Sequence, residues 1–310
     1  MTVLAATLRL GTRRSSLALA QSNRVADELR SLGHSVELVE VVTEGDRSSA
    51  AIQTMGGTGV FVTELRRRLL DGEIDLAVHS LKDLPTQRPD RLVIAAVPVR
   101  ADPRDALVAR DGLTLAELPA GARVGTGSPR RAAQLHALGL GLDVVAIRGN
   151  VDTRLRRVGD DLDAVVVAAA GLGRLGRLAD ATELLDPVQM LPAPGQGALA
   201  VECRADDATL LDALRALDDA VTRGAVTAER SLLAALEAGC TAPVGALADV
   251  ALGDDGEDEI YLRAVVASVD GTNTIRLSAT GPLADAEGLG HRLAADLLDA
   301  GAAGLIGENT

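Results

Sequence analysis

One short stretch of the sequence concentrates side chains that could take part in chemistry. In residues 75–85, a few mostly apolar positions are followed by His79, Ser80, Lys82 and Asp83. The apolar positions predict a strand, and the polar ones stand where that strand ends. In α/β proteins such strand ends face the ligand crevice. An Asp83 carboxylate held there could stabilise positive charge that develops in a reaction, although a solvated turn with an ordinary Lys-Asp pair fits the same residues.

The proline that closes this stretch restricts its backbone. Pro85 disfavours the helical region for Leu84, so we expect Leu84 to be extended and the loop not to continue as a helix. A stiff loop of this kind would keep the Asp83 side chain in one place.

A second feature is a concentration of arginine that opposes the charge of the whole chain. Residues 123–158 contain seven arginines and two acidic residues, a local balance of +5 in a protein of net charge −13. Four of them, Arg130, Arg131, Arg148 and Arg154, stand where predicted strands give way to helices. Because guanidinium groups bind carboxylate and phosphate in bidentate geometry, this region is a candidate anion site.

The residues around these arginines predict helix starts, which also favour anions. Residues 125–131 predict a strand, a tight turn with Thr126, and a helix capped by Ser128 with Pro129 at its first position. Residues 11–15 repeat the arrangement with Arg13, and either Ser15 or Ser16 could cap the helix that follows. A helix N-terminus offers free N–H groups and a partial positive charge. Since no P-loop or dinucleotide fingerprint is present, polycarboxylates are favoured over nucleotides.

The composition excludes several classes of function. The net charge of −13 and the pI of about 4.8 disfavour nucleic acid as a partner. No apolar run approaches the length of about 18 residues that a membrane span needs. Two cysteines and no recognisable signal peptide indicate a cytoplasmic protein, and we expect a monomer. No metal site is predicted.

The two cysteines stand in different surroundings. Cys203 lies in an apolar, strand-like run and is predicted to be buried. Cys240 follows Gly239 in a turn after a predicted helix, so its thiol is the better candidate for attachment or catalysis. The single phenylalanine, Phe61, follows a glycine-rich loop and could be either a core residue of the next helix or a ring that stacks on a ligand.

The order of predicted elements gives the fold class. Strands and helices alternate up to about residue 217, and proline-rich junctions interrupt this series at residues 98–104 and 191–197. We therefore expect an α/β protein in which two lobes are joined by a two-stranded hinge with a cleft between them, plus a small C-terminal α+β domain. The predicted domains are residues 1–99 with 198–217, residues 104–192, and residues 220–310.

Several motifs in order resemble the porphobilinogen deaminase (hydroxymethylbilane synthase) family over essentially the whole chain. The segments that carry the resemblance are residues 11–15, 79–85, 102–106, 125–131, 148–154, 191–197 and 237–243. The resemblance implies a three-domain transferase of haem and other tetrapyrrole biosynthesis whose first two lobes are similar to periplasmic binding proteins. It would condense four porphobilinogen molecules head to tail, with release of ammonia, and then release hydroxymethylbilane.

The same resemblance implies a dipyrromethane cofactor held by a thioether to Cys240, with Asp83 as the catalytic carboxylate. It further implies cofactor contacts from Ser80, Lys82, Thr126, Ser128, Arg130, Arg131 and Arg148. Substrate contacts are implied for Arg13, Ser15, Phe61, Arg154, Arg174 and Gln196. The chain departs from the common family pattern at Thr58 and Thr63, where lysines are frequent, and at Gly127, where a serine is frequent.

The alternative is a non-enzymatic, two-lobed binding protein for a polycarboxylate ligand. A third domain that carries Cys240 is unnecessary for simple binding, so the attachment cysteine favours the enzyme.

Overall fold

The computed structural model describes residues 6–41, 59–87, 89–238, 242–254 and 256–306, and for residues 59–61 it describes only the backbone. The chain forms two compact units. One consists of Met1–Arg100 with Ala198–Arg223, and the other of Ala101–Gly197 with Gly224–Thr310. Within the described ranges, no helix combines the length and the apolar character needed to cross a membrane.

The described residues form thirteen strands and nine α-helices. The strands of the described residues are β1 (Leu8–Arg13), β2 (Val36–Val41), β3 (Leu76–Ser80), β4 (Leu92–Ala96), β5 (Asp105–Ala109), β6 (Arg123–Thr126), β7 (Asp143–Ala146), β8 (Ala164–Ala168), β9 (Glu183–Leu184), β10 (Leu199–Arg204), β11 (Val244–Leu252), β12 (Asp258–Ala267) and β13 (Thr274–Pro282). The α-helices are α1 (Ser16–Ser31), α2 (Gly59–Leu70), α3 (Pro129–Ala137), α4 (Val151–Leu155), α5 (Ala169–Arg174), α6 (Ala208–Leu214), α7 (Ala220–Ala235), α8 (Ala286–Asp299) and α9 (Ala302–Ile306).

The first unit contains a five-stranded sheet in the order β2-β1-β3-β10-β4. The strands β2, β1 and β3 are parallel, and β10 is antiparallel to both of its neighbours. Helix α1 begins where the Ser15 side chain accepts a hydrogen bond from the Ala18 N–H, as expected for an N-cap. Its buried Val25 and Leu29 pack in one core with Leu10 of β1.

The second unit repeats this arrangement with the order β7-β6-β8-β5-β9. Its strands β7, β6 and β8 are parallel, and β5 is antiparallel to β8 and β9. The chain passes from one unit to the other shortly before β5 and again shortly before β10. These two strands hold equivalent places in their sheets. Helix α3 starts at Pro129 with Ser128 as its N-cap, as the sequence predicts.

The C-terminal part of the second unit is a three-stranded antiparallel sheet, β11-β12-β13. Helices α7 and α8 cover it, and their buried Leu232, Leu289 and Leu293 share a core with Ile260 and Leu262 of β12. Every second residue of β11 and β12 packs in this core, so one face of the sheet carries most of the apolar contacts with the helices.

The predicted fold class is confirmed: two mixed α/β sheets precede a small C-terminal α+β part. The proposed boundaries of three domains stay a prediction. The sequence did not indicate β5 or the short helix α5. Strand β5 has the sequence Asp-Ala-Leu-Val-Ala, in which only one residue is β-branched, and it follows a proline-containing junction that obscures its start.

Candidate active site

The strongest candidate, Asp83, lies in a 3-10 turn (Leu81–Asp83) that begins directly after β3. Its carboxylate is exposed, and it has no hydrogen bond or ion pair with any residue in the described part of the chain. The turn itself is held firmly, since Leu81 and Leu84 are only 1% and 2% exposed. The expected backbone at Leu84 is confirmed, with φ −79° and ψ 130°. An exposed carboxylate on a fixed turn can meet a ligand without rearrangement.

The other predicted residues of the first unit lie at the ends of neighbouring parallel strands. Arg13 ends β1 and is partly buried, and Ser15 caps α1. Ser80 ends β3, and its hydroxyl accepts a hydrogen bond of 2.7 Å from Nε2 of Gln21 on α1. Since β1 and β3 are adjacent, the structure brings these side chains and the Asp83 turn to one edge of the sheet. Lys82 lies within the turn and is partly buried.

In the second unit, Thr126 and Ser128 shape the turn between β6 and α3. The buried Thr126 accepts a hydrogen bond through Oγ1 from the Ser128 N–H at 3.2 Å, and Ser128 Oγ accepts one from the Arg131 N–H at 3.4 Å. A Cβ on Gly127 would lie 2.5 Å from the carbonyl oxygen of Ile147. The turn therefore has no room for a serine at position 127 without a shift, which gives a physical reason for that departure.

Arg130 and Arg131 share one buried partner. Asp105, at the start of β5, accepts hydrogen bonds from Arg130 Nη2 at 2.8 Å and from Arg131 Nε and Nη2 at 3.1 and 2.7 Å. Burial alone would raise the pKa of the Asp105 carboxyl, but the two arginines outweigh it and hold that pKa well below its usual range. One carboxylate thus faces two guanidinium groups, and the cluster keeps a net positive charge.

The cluster also reaches the second proline-rich junction. Gln196 is fully buried and donates hydrogen bonds through Nε2 to Asp105 Oδ1 at 2.8 Å and to the Pro103 carbonyl at 2.7 Å. Arg174, the last residue of α5, donates a hydrogen bond of 2.6 Å to the Gly197 carbonyl. The predicted residues Gln196 and Arg174 are therefore close to one another and to the arginine pair.

Arg154, on α4, differs from the buried pair because it has no carboxylate partner within the described residues. Its Nε donates a hydrogen bond of 2.8 Å to the Gly149 carbonyl. Burial lowers the pKa of the Arg154 guanidinium, and the like charge of Arg131 lowers it further. Arg148 precedes the same helix and is exposed. These two arginines extend the cationic region from the buried pair to the surface.

Cys240 and the side chain of Phe61 lie outside the described residues, although the backbone of Phe61 is in α2. Thr58 lies outside them as well, and Thr63 is exposed on α2. The expected burial of Cys203 is confirmed, and burial together with the nearby Asp207 raises the pKa of its thiol to about 12.

Two acidic residues that bind arginines at these sites are not predicted from the sequence. Asp105 organises the arginine pair, and Glu202 of β10 is 1% exposed and bound to Arg66. Each is a single acid in an apolar run, and an ionised side chain in such a run requires a buried partner. That signal was present in the sequence, but it does not say which cation is the partner.

Taken together, these features define an α/β protein with two mixed sheets and a C-terminal α+β part, in which basic and hydroxyl side chains stand at the ends of the parallel strands. Two family models match the chain. Residues 8–212 match the model described as porphobilinogen deaminase, dipyromethane cofactor binding domain, and residues 224–299 match porphobilinogen deaminase, C-terminal domain. The chain belongs to the porphobilinogen deaminase family.

Individual relatives agree with the family models. The chain is 60% identical to porphobilinogen deaminase 1 of Streptomyces avermitilis, over 97% of this chain and 98% of that one. It is 61% identical to porphobilinogen deaminase of Nocardia farcinica, over 97% and 88% of the two chains. Among solved structures, a periplasmic substrate-binding protein of an ABC transporter from Coxiella burnetii is similar with a TM-score of 0.42 and 17% identity, over 68% of this chain and 91% of that one.

The protein is therefore an enzyme of tetrapyrrole biosynthesis with porphobilinogen deaminase (hydroxymethylbilane synthase) activity, and its cofactor is a dipyrromethane. The family resemblance and the activity predicted from the sequence are confirmed. The non-enzymatic binding protein considered as the alternative is not supported.

Proposed function

We propose that Asp83 is the catalytic carboxylate of this deaminase, and that the arginines at the strand ends of the second unit bind carboxylates of the substrate and the cofactor. Loss of ammonia from porphobilinogen leaves a cationic azafulvene, in which the positive charge is shared with the pyrrole nitrogen. A carboxylate already fixed beside that charge stabilises the cation more than it stabilises the uncharged pyrrole ring, which lowers the barrier.

The observation that carries the role of Asp83 is the contrast between its fixed backbone and its unpaired side chain. Leu81 and Leu84 anchor the turn in the core, and Ser80 is tied to Gln21 of α1. The Asp83 carboxylate itself is exposed and unpaired among the described residues. Electrostatic stabilisation depends on such preorganisation, because a group that must break an existing ion pair loses part of its effect.

The donor set of the second unit fits a cofactor that carries several carboxylates. Arg130 and Arg131 have Asp105 as their only carboxylate among the described residues, and Arg154 has none. Within that part of the chain, three partly or fully buried cations therefore face one anion. A carboxylate of a ligand would supply the missing negative charge, and each charge-assisted hydrogen bond contributes roughly 1.5–3 kcal/mol.

The residues proposed to hold the cofactor, in addition to the thioether at Cys240, are Ser80, Lys82, Thr126, Ser128, Arg130, Arg131 and Arg148. When bound, the dipyrromethane supplies the pyrrole carbon to which the first substrate is joined. The residues proposed to bind porphobilinogen are Arg13, Ser15, Phe61, Arg154, Arg174 and Gln196. Each pyrrole carries an acetate and a propionate, which matches the excess of cationic donors among these residues.

The test of the catalytic role is Asp83→Asn, which keeps the size of the side chain and removes its charge. We expect kcat to fall at least about 100-fold, while the fold and the covalent cofactor are retained. Asp71→Asn is the matched control, since Asp71 is an exposed aspartate of the same unit that follows α2. Steady-state turnover of Asp83→Asn at the rate of the control would remove Asp83 from the mechanism.

The proposal also covers the domain boundaries, the oligomeric state and the cellular location of the enzyme. Three domains, residues 1–99 with 198–217, 104–192 and 220–310, would each carry one role: the catalytic turn, the arginine cluster and the attachment cysteine. The enzyme would act as a monomer in the cytoplasm, which light scattering on the purified protein and cell fractionation can test.

A further inference from the structure

Glu202 of β10 is a buried carboxylate with two polar partners from different elements. Arg66 of α2 donates hydrogen bonds to it through Nη2 at 2.8 Å and through Nε at 3.1 and 3.2 Å. On the other side, Nε2 of the buried His79 in β3 lies 3.2 Å from Glu202 Oε2, a close polar contact whose angle is not that of a hydrogen bond. Burial would raise the pKa of the Glu202 carboxyl, but the contacts with His79 and Arg66 lower it overall. The carboxylate is therefore a charged centre inside the first unit.

The register of the sheet explains why these side chains meet. Glu202 is opposite Ala77, and His79 is the next residue of β3 on that face. Ser80 points to the opposite face, where it contacts Gln21 of α1. The last two residues of β3 are consequently tied on both faces of the sheet, and the Asp83 turn starts at the next residue.

Both partners of Glu202 belong to elements that carry proposed functional residues. His79 is four residues before Asp83, on the strand that leads into the turn. Arg66 lies on α2, whose first turn contains Phe61. The Glu202 carboxylate therefore contacts both the strand that leads into the catalytic turn and the helix that contains Phe61.

We propose that Glu202 is a positioning residue for the deaminase reaction, which fixes β3 through His79 and α2 through Arg66. The inference rests on the proposed roles of Asp83 and Phe61. If it holds, the two contacts have separable effects. Loss of the His79 contact displaces the charge of Asp83 and lowers kcat, whereas loss of the Arg66 contact displaces α2 and raises KM.

The test compares Glu202→Gln, His79→Gln and Arg66→Met in the cofactor-loaded enzyme. A displacement of about 1 Å at a reacting group can change a rate by about 100-fold, so we expect kcat of His79→Gln to fall about 10- to 100-fold with KM nearly unchanged. Arg66→Met should mainly raise KM, and Arg66→Lys should restore part of that loss. Glu202→Gln should show both changes, and adding His79→Gln to it should lower kcat little further.

Asp75→Asn is the structural control, because Asp75 precedes the other end of β3 and binds Arg9. It should lower the melting temperature without changing kcat or KM. If Glu202→Gln loses stability like the control but keeps wild-type kcat and KM, the inference is overturned. If Glu202→Gln does not fold, the kcat of His79→Gln is the deciding measurement. A wild-type kcat in His79→Gln then overturns the inference. Wild-type turnover in Asp83→Asn would instead contradict the proposed catalytic residue, whatever the Glu202 variants do.

Discussion

Arg131 and Asp105 form a buried ion pair in which Nε and Nη2 of the arginine both donate to Oδ1, at 3.1 and 2.7 Å. Arg130 binds the other carboxylate oxygen at 2.8 Å. The aspartate therefore has two roles. It fixes the orientation of both guanidinium groups, and it leaves one positive charge of the pair uncompensated within the described residues.

Asp105→Asn should strongly destabilise the fold. The variant leaves two buried arginines without their carboxylate, and breaking a buried ion pair from one side typically costs about 3–5 kcal/mol. Urea denaturation of the two proteins measures the difference. Asp161→Asn is the control, because its ion pair with Arg157 is partly exposed to solvent, and its stability should be close to that of the wild type. Equal stability of the two variants would show that the Asp105 cluster does not hold the second unit together.

The same ion pair predicts how the stability difference depends on pH. The pKa of Asp105 is lowered from 3.8 in the folded protein, so its charge stabilises the fold at every pH above that ordinary value. As the pH falls below about 4, the unfolded chain takes up a proton before the folded protein does, and the contribution declines. The difference in unfolding free energy between wild type and Asp105→Asn should be constant from about pH 8 to pH 5 and shrink below about pH 4. A difference that shrank between pH 8 and pH 5 would contradict the lowered pKa.

Arg154→Met should weaken binding of porphobilinogen without removing the chemistry. The loss of one charge-assisted hydrogen bond, roughly 1.5–3 kcal/mol, predicts a KM about 10- to 100-fold higher with kcat little changed. Arg157→Met is the matched control, since Arg157 is three residues further along and is paired with Asp161. If both variants raised KM equally, the effect would come from the general positive charge of this region and not from a contact of Arg154.

The two cysteines allow a direct count of thiols. Cys203 is buried, and its pKa is raised to about 12, so it should resist alkylation in the folded enzyme at neutral pH. After denaturation, the cofactor-loaded enzyme should show one reactive thiol, because a thioether at Cys240 removes the other. Cys203→Ala should then show none. Two thiols in the denatured wild type would mean that Cys240 is free.

Much of the fold could be predicted because local signals agree with it. The cap at Ser128 lies where the sequence places it, and Ser15 is one of the two serines predicted as the cap of α1. The extended backbone at Leu84 follows from the proline after it. Both depend on neighbours within a few residues, which the sequence shows directly.

The pairing of charges inside the units could not be predicted in this way. Arg130 and Arg131 are predicted to bind an anionic ligand because they stand at the start of a predicted helix. The fold instead brings Asp105 to them from a strand about 25 residues earlier. Whether they also contact carboxylates of the cofactor stays a prediction. Glu202 is a similar case, since its partner Arg66 is separated from it by 136 residues. Such pairs depend on sheet order, which short-range patterns do not determine.

The central claim is that Asp83 catalyses the elongation of a pyrrole chain attached to Cys240. The most direct test is the intact mass of the enzyme before and after addition of a limiting amount of porphobilinogen. The wild type should be heavier than its sequence by one dipyrromethane and should gain mass in steps of one pyrrole unit. Asp83→Asn should keep the resting adduct without the steps, and Cys240→Ala should show neither. If Asp83→Asn gained mass in these steps at the wild-type rate, or if Cys240→Ala kept the adduct, the result would contradict these assignments.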